Sequence, residues 1–291
     1  MISGKSKVCG VIAYPVEHSL SPLMHNFFSK KTGIDLAYVP LKVAPGCVGE
    51  AVKGAYALNF TGLNVTVPHK QEVMKYLPEI DEDARAIGAV NTLVRFDGGY
   101  KGYNTDAAAV LRVMTEAGIS IKGRSCILLG AGGAAKAVAH VLAKEGAKKI
   151  YVLNRGEERA AALSDSVNGR FGRAVMVPMA LSDYGKLPAE ERYLAVQTTS
   201  VGMYPKTDCA PIEDEGFYRM IDLAVDIVYT PMVTRFMEHV RAAGGKAVGG
   251  LDMLIYQGIT AYELWNPEAV FTEEIMEEAR KLMVAELEAG R

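Results

Sequence analysis

The stretch Ser125–Lys136 (SCILLGAGGAAK) decides the fold. A short apolar run is followed by a glycine-rich turn that fits G-x-G-x-x-G/A and by an alanine-rich segment. The first glycine permits a tight turn, the second lets the backbone approach a pyrophosphate, and a small third residue lets the helix pack on the sheet. The free N–H groups and the positive dipole end at the helix start favour phosphate. We therefore predict a strand–turn–helix unit whose dinucleotide contacts are Gly130, Ala131, Gly132, Gly133 and Ala134.

The next strand-like run, 149–153 (KIYVL), ends about 20 residues after the glycine turn, where this kind of unit recognises the ribose. An Asp or Glu at that point typically binds the 2′-hydroxyl of NAD, but this chain has Asn154 and Arg155. A guanidinium binds a 2′-phosphate in a bidentate manner, whereas a carboxylate repels it. Arg159 lies one helical turn further on. The pattern predicts NADP rather than NAD, even though Glu157 and Glu158 are close by.

Strand-like and helix-like segments alternate along the whole chain, which favours parallel sheets of the doubly wound kind. The strand candidates are residues 8–13, 36–41, 62–67, 90–96, 100–103, 125–129, 149–153, 174–177, 193–197 and 221–227. The helix candidates are residues 48–58, 105–117, 133–145, 157–167, 231–243, 251–265 and 272–287, with another that begins at Ser21-Pro22, where serine is a favoured N-cap. Asp97-Gly98-Gly99 predicts a hairpin turn between two strands.

Composition and charge narrow the function classes. The chain has 291 residues, 49% of them hydrophobic, and a net charge of -2. This composition is typical of a globular protein, carries no basic footprint for nucleic acid, and contains no apolar run of the roughly 20 residues that span a bilayer. The N-terminal residues carry no apolar signal segment, so we expect a cytoplasmic protein. The four cysteines and five histidines have no metal-ligand spacing, and no metal is expected.

Four motifs in the first half carry polar side chains that a purely structural core does not need. They are Tyr14–Asn26 (YPVEHSLSPLMHN), Gly62–Lys70 (GLNVTVPHK), Gly88–Thr92 (GAVNT) and Gly102–Asp106 (GYNTD). Helix capping alone would explain Ser21 in the first motif, but not the whole run. Considered alone, Lys70 could be a solvent-exposed lysine, and Asp106 could be a carboxylate that stabilises the first turn of a helix. Their occurrence together with the other motifs favours a functional site.

In combination, these motifs resemble the shikimate dehydrogenase family. The resemblance runs in order from about Val8 to Trp265 and continues through the second half of the chain. There it includes the glycine turn, Asn154-Arg155, and the segments Thr198–Met203, Asp226–Pro231 and Gly250–Gln257. The chain departs from the family pattern at three positions: Gln197 stands where Asn is usual, Gly156 where Thr or Ser is frequent, and Thr230 where Asn is common.

The resemblance implies an NADP-dependent oxidoreductase that interconverts 3-dehydroshikimate and shikimate. It implies that Lys70 and Asp106 are the catalytic pair and that Ser19 and Ser21 bind the substrate carboxylate. It implies further substrate contacts from Thr66, Asn91, Gln257 and Tyr229, and cofactor contacts from Thr199, Gly250 and Met253 on the nicotinamide side.

Ketone reduction needs a hydride donor and a proton for the developing alkoxide. NADPH supplies the hydride, and the ammonium of Lys70 is suited to stabilise the oxyanion and deliver the proton. Asp106 is suited to orient that ammonium, but a neighbouring carboxylate opposes a base role for the lysine in the reverse direction. We take Lys70 as the acid/base and Asp106 as its orienting partner, a hypothesis that the sequence leaves open.

The predicted fold class is α/β with two domains and an active site in the cleft between them. Residues 1–105 and 252–291 form an α/β substrate domain to which the C-terminal helices return, and residues 106–251 form a Rossmann-type doubly wound NADP domain. Two alternatives stay open: a quinate/shikimate dehydrogenase that uses NAD, and a catalytically inactive nucleotide-binding paralogue that acts as a sensor. We expect a small-molecule substrate, no nucleic acid or membrane partner, and a monomer or homodimer.

Overall fold

The computed structural model describes residues 2–289, which fold into two compact units. Residues up to Ala108 and from Ile255 onward form the first unit, and Ala109–Leu254 form the second. Within the described residues, no helix combines the length and the apolar character needed to cross a bilayer.

The strands and helices of residues 2–289 alternate as the sequence pattern predicts. The strands are β1 (Lys7–Ala13), β2 (Leu36–Lys42), β3 (Gly62–Val65), β4 (Glu79–Ile80), β5 (Thr92–Phe96), β6 (Gly99–Tyr103), β7 (Ser125–Leu129), β8 (Lys149–Asn154), β9 (Met176–Ala180), β10 (Tyr193–Gln197), β11 (Ile221–Asp226) and β12 (Lys246–Val248). The α-helices are α1 (Ser21–Thr32), α2 (Val48–Ala57), α3 (Glu82–Ile87), α4 (Thr105–Glu116), α5 (Gly133–Lys144), α6 (Glu157–Phe171), α7 (Glu215–Arg219), α8 (Arg235–Ala242), α9 (Leu251–Trp265) and α10 (Glu273–Ala289). Short 3₁₀ helices cover Glu72–Tyr76 and Leu181–Lys186.

The sheet of the first unit has the strand order β2-β1-β3-β5-β6-β4. Strand β1 runs parallel to β2 and β3, whereas β5 is antiparallel to both β3 and β6. The hairpin between β5 and β6 turns at Gly98 and Gly99, whose φ angles of 108° and 151° favour glycine. This sheet is therefore mixed rather than wholly parallel, because a short hairpin can join only antiparallel neighbours.

The sheet of the second unit has the order β12-β11-β10-β7-β8-β9, and every neighbouring pair in it is parallel. The chain moves outward from β7 to β9 on one side and then returns to β10 on the other. Strand order therefore reverses beside β7, which creates the crevice where open α/β sheets bind ligands. The glycine turn of Gly130–Ala135 lies at the end of β7, at this reversal.

Several boundaries differ from the sequence prediction for local reasons. The helix expected over 231–243 begins only at Arg235, because the Thr234 side chain caps it by accepting a hydrogen bond from Met237 N at 3.3 Å. The strand expected at 174–177 begins at Met176. Ser21 is not the N-cap of α1: Leu20 occupies the cap position and makes no side-chain cap bond. The hydroxyl of Ser21 therefore does not cap the helix.

A buried aromatic cluster holds α1 and α9 to the first sheet. His25 stacks on Tyr38, with ring centroids 4.3 Å apart, and also contacts Phe28, Tyr262 and Trp265. Neither ring nitrogen of His25 has a hydrogen-bond partner within the described residues. Burial lowers the pKa of His25 to about 3, and the neighbouring Asn64 side chain acts in the opposite direction. The imidazole is therefore neutral in the folded protein.

His25 should make the stability of the fold depend on pH. Its pKa is lower in the folded chain than in the unfolded chain, so the unfolded state binds the proton first and stability is lost as pH falls from about 6.5 toward about 3. Between about pH 7 and about pH 5 the loss should be about 2 kcal/mol. Urea unfolding of the parent and of His25→Phe measures it, since phenylalanine fills the aromatic site without titrating. Equal pH slopes for the two proteins would contradict this assignment.

Candidate active site

Lys70 and Asp106 form an ion pair in the first unit. Lys70 Nζ donates to Asp106 Oδ2 at 2.7 Å, and the two side chains retain 24% and 13% of their accessible surface. Lys70 follows β3 across a turn in which His69 N donates to Thr66 O at 2.9 Å. Asp106 is the second residue of α4, where the helix dipole favours a negative charge. The pair is half-buried and still open to a small ligand.

Asn91 holds the other oxygen of the same carboxylate. Its Nδ2 donates to Asp106 Oδ1 at 2.9 Å, while its Oδ1 accepts from Thr105 N at 2.8 Å. Asn91 is 3% exposed and lies directly before β5. Both carboxylate oxygens of Asp106 thus have a donor, and three sequence motifs meet in one cluster.

The two serines of the first motif lie where the chain enters α1. Ser19 Oγ accepts a hydrogen bond from Ser21 N at 3.3 Å, and both residues are partly exposed. Burial raises the pKa of Tyr38 well above its usual range, and the nearby Ser21 side chain acts in the opposite direction. The hydroxyl of Ser21 therefore lies near a buried phenol, and both serines are partly exposed to a ligand.

Two further predicted substrate contacts lie in the first unit. Thr66 comes directly after β3 and is partly exposed, and its backbone N–H donates to Ile12 O at 3.0 Å. Gln257 lies in the second turn of α9 and is also partly exposed. Both side chains are accessible to a ligand of the first unit.

The glycine turn of the second unit is constrained at its first position. Gly130 has φ +107°, and a Cβ atom there would lie 2.7 Å from Thr198 Oγ1. Thr198 Oγ1 in turn donates to Leu129 O at 2.7 Å, so it has little freedom to move. Gly132 is the N-cap of α5, and a Cβ on it or on Gly133 would meet open space. The N-terminus of α5 therefore faces outward without side chains in the way, which suits a pyrophosphate.

The predicted ribose-recognition residues follow β8. Asn154 Nδ2 donates to Gly156 O at 2.8 Å, which fixes the turn into α6. Arg155 and Arg159 are exposed, and in residues 2–289 neither forms an ion pair with a carboxylate. Arg155 also lines a cavity of about 510 Å³ together with Ser182, Tyr184, Pro211 and Asp214. The same cavity is also lined by Glu213, so the feature that fits a phosphate-bearing ligand is the exposure of the two guanidinium groups and not the cavity.

The remaining predicted cofactor residues lie on two loops of the second unit. Thr199 follows β10, where its Oγ1 accepts from Val201 N at 3.1 Å. Gly250 N donates to Val228 O at 3.1 Å, and a Cβ on Gly250 would lie 2.2 Å from Ile227 O, so only glycine fits. Met253 follows in α9 and is 9% exposed.

The loop that carries Tyr229 is anchored by a buried carboxylate. Asp226 is fully buried and accepts hydrogen bonds from Val228 N at 2.9 Å and Thr234 Oγ1 at 2.6 Å. Burial raises the pKa of Asp226 to about 6, although both hydrogen bonds oppose that rise. Tyr229 is partly exposed, and burial raises its pKa as well.

The structure shows further buried polar residues that hold the site loops and the Asn91 side chain in place and that the sequence did not reveal. Gln197, a departure from the family pattern, is fully buried: its Nε2 donates to Val201 O at 3.1 Å and its Oε1 accepts from Thr199 N. Thr92 and Thr105 are buried beside Asn91 and hydrogen-bond to it. The two threonines lie inside the quoted motifs, whereas nothing in the sequence singled out Tyr38.

A glycine turn at the strand reversal of a doubly wound sheet defines a dinucleotide-binding α/β protein, here with a second α/β unit that carries a polar cluster. Residues 11–93 match the model described as the shikimate dehydrogenase substrate binding domain, and residues 113–183 match the model described as shikimate / quinate 5-dehydrogenase.

Relatives resemble the chain over nearly its whole length. The shikimate dehydrogenase (NADP(+)) of Desulforamulus reducens is 44% identical over 91% of this chain and 91% of its own. The shikimate 5-dehydrogenase of Listeria monocytogenes, solved with shikimate and NAD, has a TM-score of 0.88 at 32% identity and covers 95% of this chain and 97% of its own. The Thermus thermophilus enzyme, solved with NADP(H) and shikimate, has a TM-score of 0.80 at 34% identity, with coverages of 95% and 99%. The chain belongs to the shikimate dehydrogenase family.

Gly130→Ala should destabilise the second unit. The positive φ and the approach to Thr198 Oγ1 together should cost about 2 kcal/mol or more. Gly132→Ala is the matched control, because its Cβ meets open space and its backbone is extended; unfolding of the ligand-free protein should change by less than about 0.5 kcal/mol. The control should nevertheless lose NADP⁺ affinity in a titration, since the added methyl blocks backbone approach to the pyrophosphate. Equal destabilisation by the two substitutions would contradict the steric account.

Proposed function

We propose that this chain catalyses the reversible, NADPH-dependent reduction of 3-dehydroshikimate to shikimate, a step of the pathway to chorismate and the aromatic amino acids. The observation that carries the proposal is the cluster of Lys70, Asp106 and Asn91, in which an ammonium and a carboxylate are held together at a half-buried, accessible position. The glycine turn and the unpaired arginines supply the second requirement, a place for a phosphorylated dinucleotide.

NADPH, when bound, supplies the hydride. The outward-facing N-terminus of α5 and the open faces of Gly132 and Gly133 fit its pyrophosphate. Arg155 and Arg159 fit the 2′-phosphate, because both are exposed and free of carboxylate partners within residues 2–289. Thr199, Gly250 and Met253 are proposed to border the nicotinamide.

Lys70 is proposed to act on the substrate carbonyl. Its ammonium stabilises the negative charge that develops on the carbonyl oxygen and donates the proton that completes the hydroxyl group. Asp106 keeps the ammonium in place through the 2.7 Å hydrogen bond. In the oxidation direction the neutral amine of Lys70 takes the hydroxyl proton, and Asp106 stabilises the ammonium that this transfer forms.

The substrate carboxylate is proposed to bind the hydroxyls of Ser19 and Ser21. The absence of a side-chain cap bond at the start of α1 supports this role, since it leaves Ser21 Oγ outside the capping pattern. Thr66, Asn91 and Gln257 are proposed to contact ring hydroxyls, with Tyr229 nearby. We assign substrate binding to residues 1–105 and 252–291 and NADP binding to residues 106–251, in a cytoplasmic monomer or homodimer.

A quinate-accepting, NAD-dependent activity is the second candidate, and the Listeria relative was solved with NAD. The pair of serines and the two arginines without an adjoining Asp favour shikimate and NADP. Steady-state kinetics with both acids and both cofactors separate the two candidates. A sensor without activity is disfavoured because Lys70 and Asp106 are both present and in contact.

Lys70→Ala should lower turnover of shikimate with NADP⁺ by about 10²–10⁴-fold, the usual size of an acid/base contribution. The measurement is absorbance at the NADPH band. Lys42→Ala is the control, because Lys42 is an exposed lysine of the same unit that also pairs with a carboxylate, that of Glu17. Turnover of Lys70→Ala within a factor of about three of the parent would contradict the assignment.

Gly156→Thr should tighten NADP⁺ binding. Gly156 is the N-cap of α6 and lies beside Arg155; a Cβ there meets no atom closer than Asn154 Nδ2 at 3.8 Å, and its φ of -100° suits any residue. A threonine hydroxyl adds a donor for the 2′-phosphate, worth about 1 kcal/mol, or roughly a 5-fold lower Kd. Isothermal titration measures the Kd, with Gly156→Ala as the control that lacks the hydroxyl. A matching gain for NAD⁺, which has no 2′-phosphate, would rule out this explanation.

A further inference from the structure

A continuous chain of buried hydrogen bonds leads away from Asp106 through the first unit. It runs from Asn91 through Thr92 and Asn64 to Tyr38. All four of these residues are 6% exposed or less. None but Asn91 is among the proposed substrate contacts, so the other three need a role of their own.

The orientation of the two asparagine amides can be read from groups that only donate or only accept. Thr105 N is a backbone donor, so the atom of Asn91 that it meets at 2.8 Å must be the carbonyl oxygen Oδ1. The amide nitrogen of Asn91 then necessarily faces Asp106 Oδ1 at 2.9 Å. Reversing this amide would place an oxygen against a carboxylate and a nitrogen against an N–H, two repulsive contacts. The orientation of Asn91 thus determines that Asp106 receives a donor.

Asn64 is fixed by the same reasoning. Its Nδ2 meets the backbone carbonyl of Asn91 at 3.3 Å and Thr92 Oγ1 at 3.1 Å, so it donates to both. Its Oδ1 consequently faces Tyr38, whose hydroxyl donates to it at 2.7 Å. Thr92 Oγ1 accepts from Asn64 and is placed to donate to Asn91 Oδ1 at 3.1 Å, with Thr105 Oγ1 as a second neighbour at 3.2 Å. With the Thr92 proton on Asn91 Oδ1, every donor in the chain points the same way, from Tyr38 toward the Asn91 amide.

We propose that Thr92 and Tyr38 are positioning residues that set the orientation of Asp106 by holding the Asn91 amide through this chain. The inference rests on the proposed function. Thr92 acts directly, since its hydroxyl is one of the donors to Asn91 Oδ1, and Tyr38 acts two bonds earlier by fixing Asn64. Neither side chain needs to touch the substrate.

Removing a hydroxyl from the chain should loosen the Lys70–Asp106 pair. Thr92→Val keeps the shape of the side chain but leaves Asn64 Nδ2 without one acceptor and Asn91 Oδ1 without one donor. The Asn91 amide then has fewer bonds that define its orientation, and the Asp106 carboxylate gains freedom to turn away from Lys70 Nζ. The loss appears in kcat rather than in the KM for NADP⁺, because the nucleotide-binding residues belong to the other unit.

The test is a double-mutant cycle on turnover of shikimate with NADP⁺. Thr92→Val should lower kcat by about 10- to 100-fold, the scale of a misplaced catalytic group, and Tyr38→Phe should lower it less. Thr92→Ser, which keeps the hydroxyl, should restore most of the activity. In an Asp106→Asn background, Thr92→Val should have almost no further effect on kcat, because the group it positions is already altered.

Tyr262→Phe is the matched control for Tyr38→Phe. It removes another buried tyrosine hydroxyl of the same unit, one that hydrogen-bonds to Thr32 Oγ1 at 3.1 Å and lies outside the chain. Its kcat should match the parent, even if its unfolding midpoint falls as much as that of Tyr38→Phe.

Three results would overturn the inference: an unchanged kcat for Thr92→Val, an equal loss in the parent and Asp106→Asn backgrounds, or an equal kcat loss in Tyr262→Phe. Failure of the proposed function looks different, since the unmodified chain itself would not reduce NADP⁺ with shikimate, and this inference would fall with it.

Discussion

The register of the antiparallel pairing between β3, β5 and β6 governs where the polar groups of the first unit lie. Asn64 pairs with Thr92, and Thr92 pairs with Tyr103, so β3 meets both strands of the hairpin at one level of the sheet. Asn91 directly precedes β5, and Thr105 begins α4 two residues after the end of β6. A shift of β5 by one residue would turn the Thr92 side chain to the other face of the sheet and away from Asn64. The cluster therefore depends on the sheet before it depends on any single hydrogen bond.

The directions of the hydrogen bonds then fix which polar atoms face the Asp106 carboxylate. A backbone N–H can only donate and a backbone carbonyl can only accept. Thr105 N therefore orients the Asn91 amide, and the Asn91 carbonyl orients the Asn64 amide. The ammonium of Lys70 and the amide of Asn91 thus approach different oxygens of one carboxylate. A buried network whose members are all satisfied is rigid, which suits the proton-donor role proposed for Lys70.

The second unit relies on backbone shape rather than on side-chain polarity. Gly130 adopts a positive φ against Thr198, and Gly250 packs against the backbone of Ile227, so both positions exclude any larger residue. These contacts leave the start of α5 bare and place the loop after β11 next to α9. Asp226 secures that loop with hydrogen bonds from Val228 and Thr234. The parts of this unit that fit a dinucleotide, the glycine turn and the start of α5, are therefore defined by main-chain conformation.

The sequence by itself determined the α/β class and the strand–turn–helix unit at Gly130, because glycine geometry and hydrophobic period are local properties. The grouping of Lys70, Asn91 and Asp106 was predicted only through the resemblance of ordered motifs to a known family. It also indicated the hairpin at Gly98-Gly99, although not that this hairpin makes the first sheet mixed. It assigned Ser21 to helix capping as an alternative, but Leu20 occupies that position. The roles of Tyr38, Thr92 and Gln197 were decided only by the tertiary structure. Their importance comes from hydrogen-bond partners brought close by strand register and loop packing, and the direction of such bonds depends on neighbours that are distant along the chain.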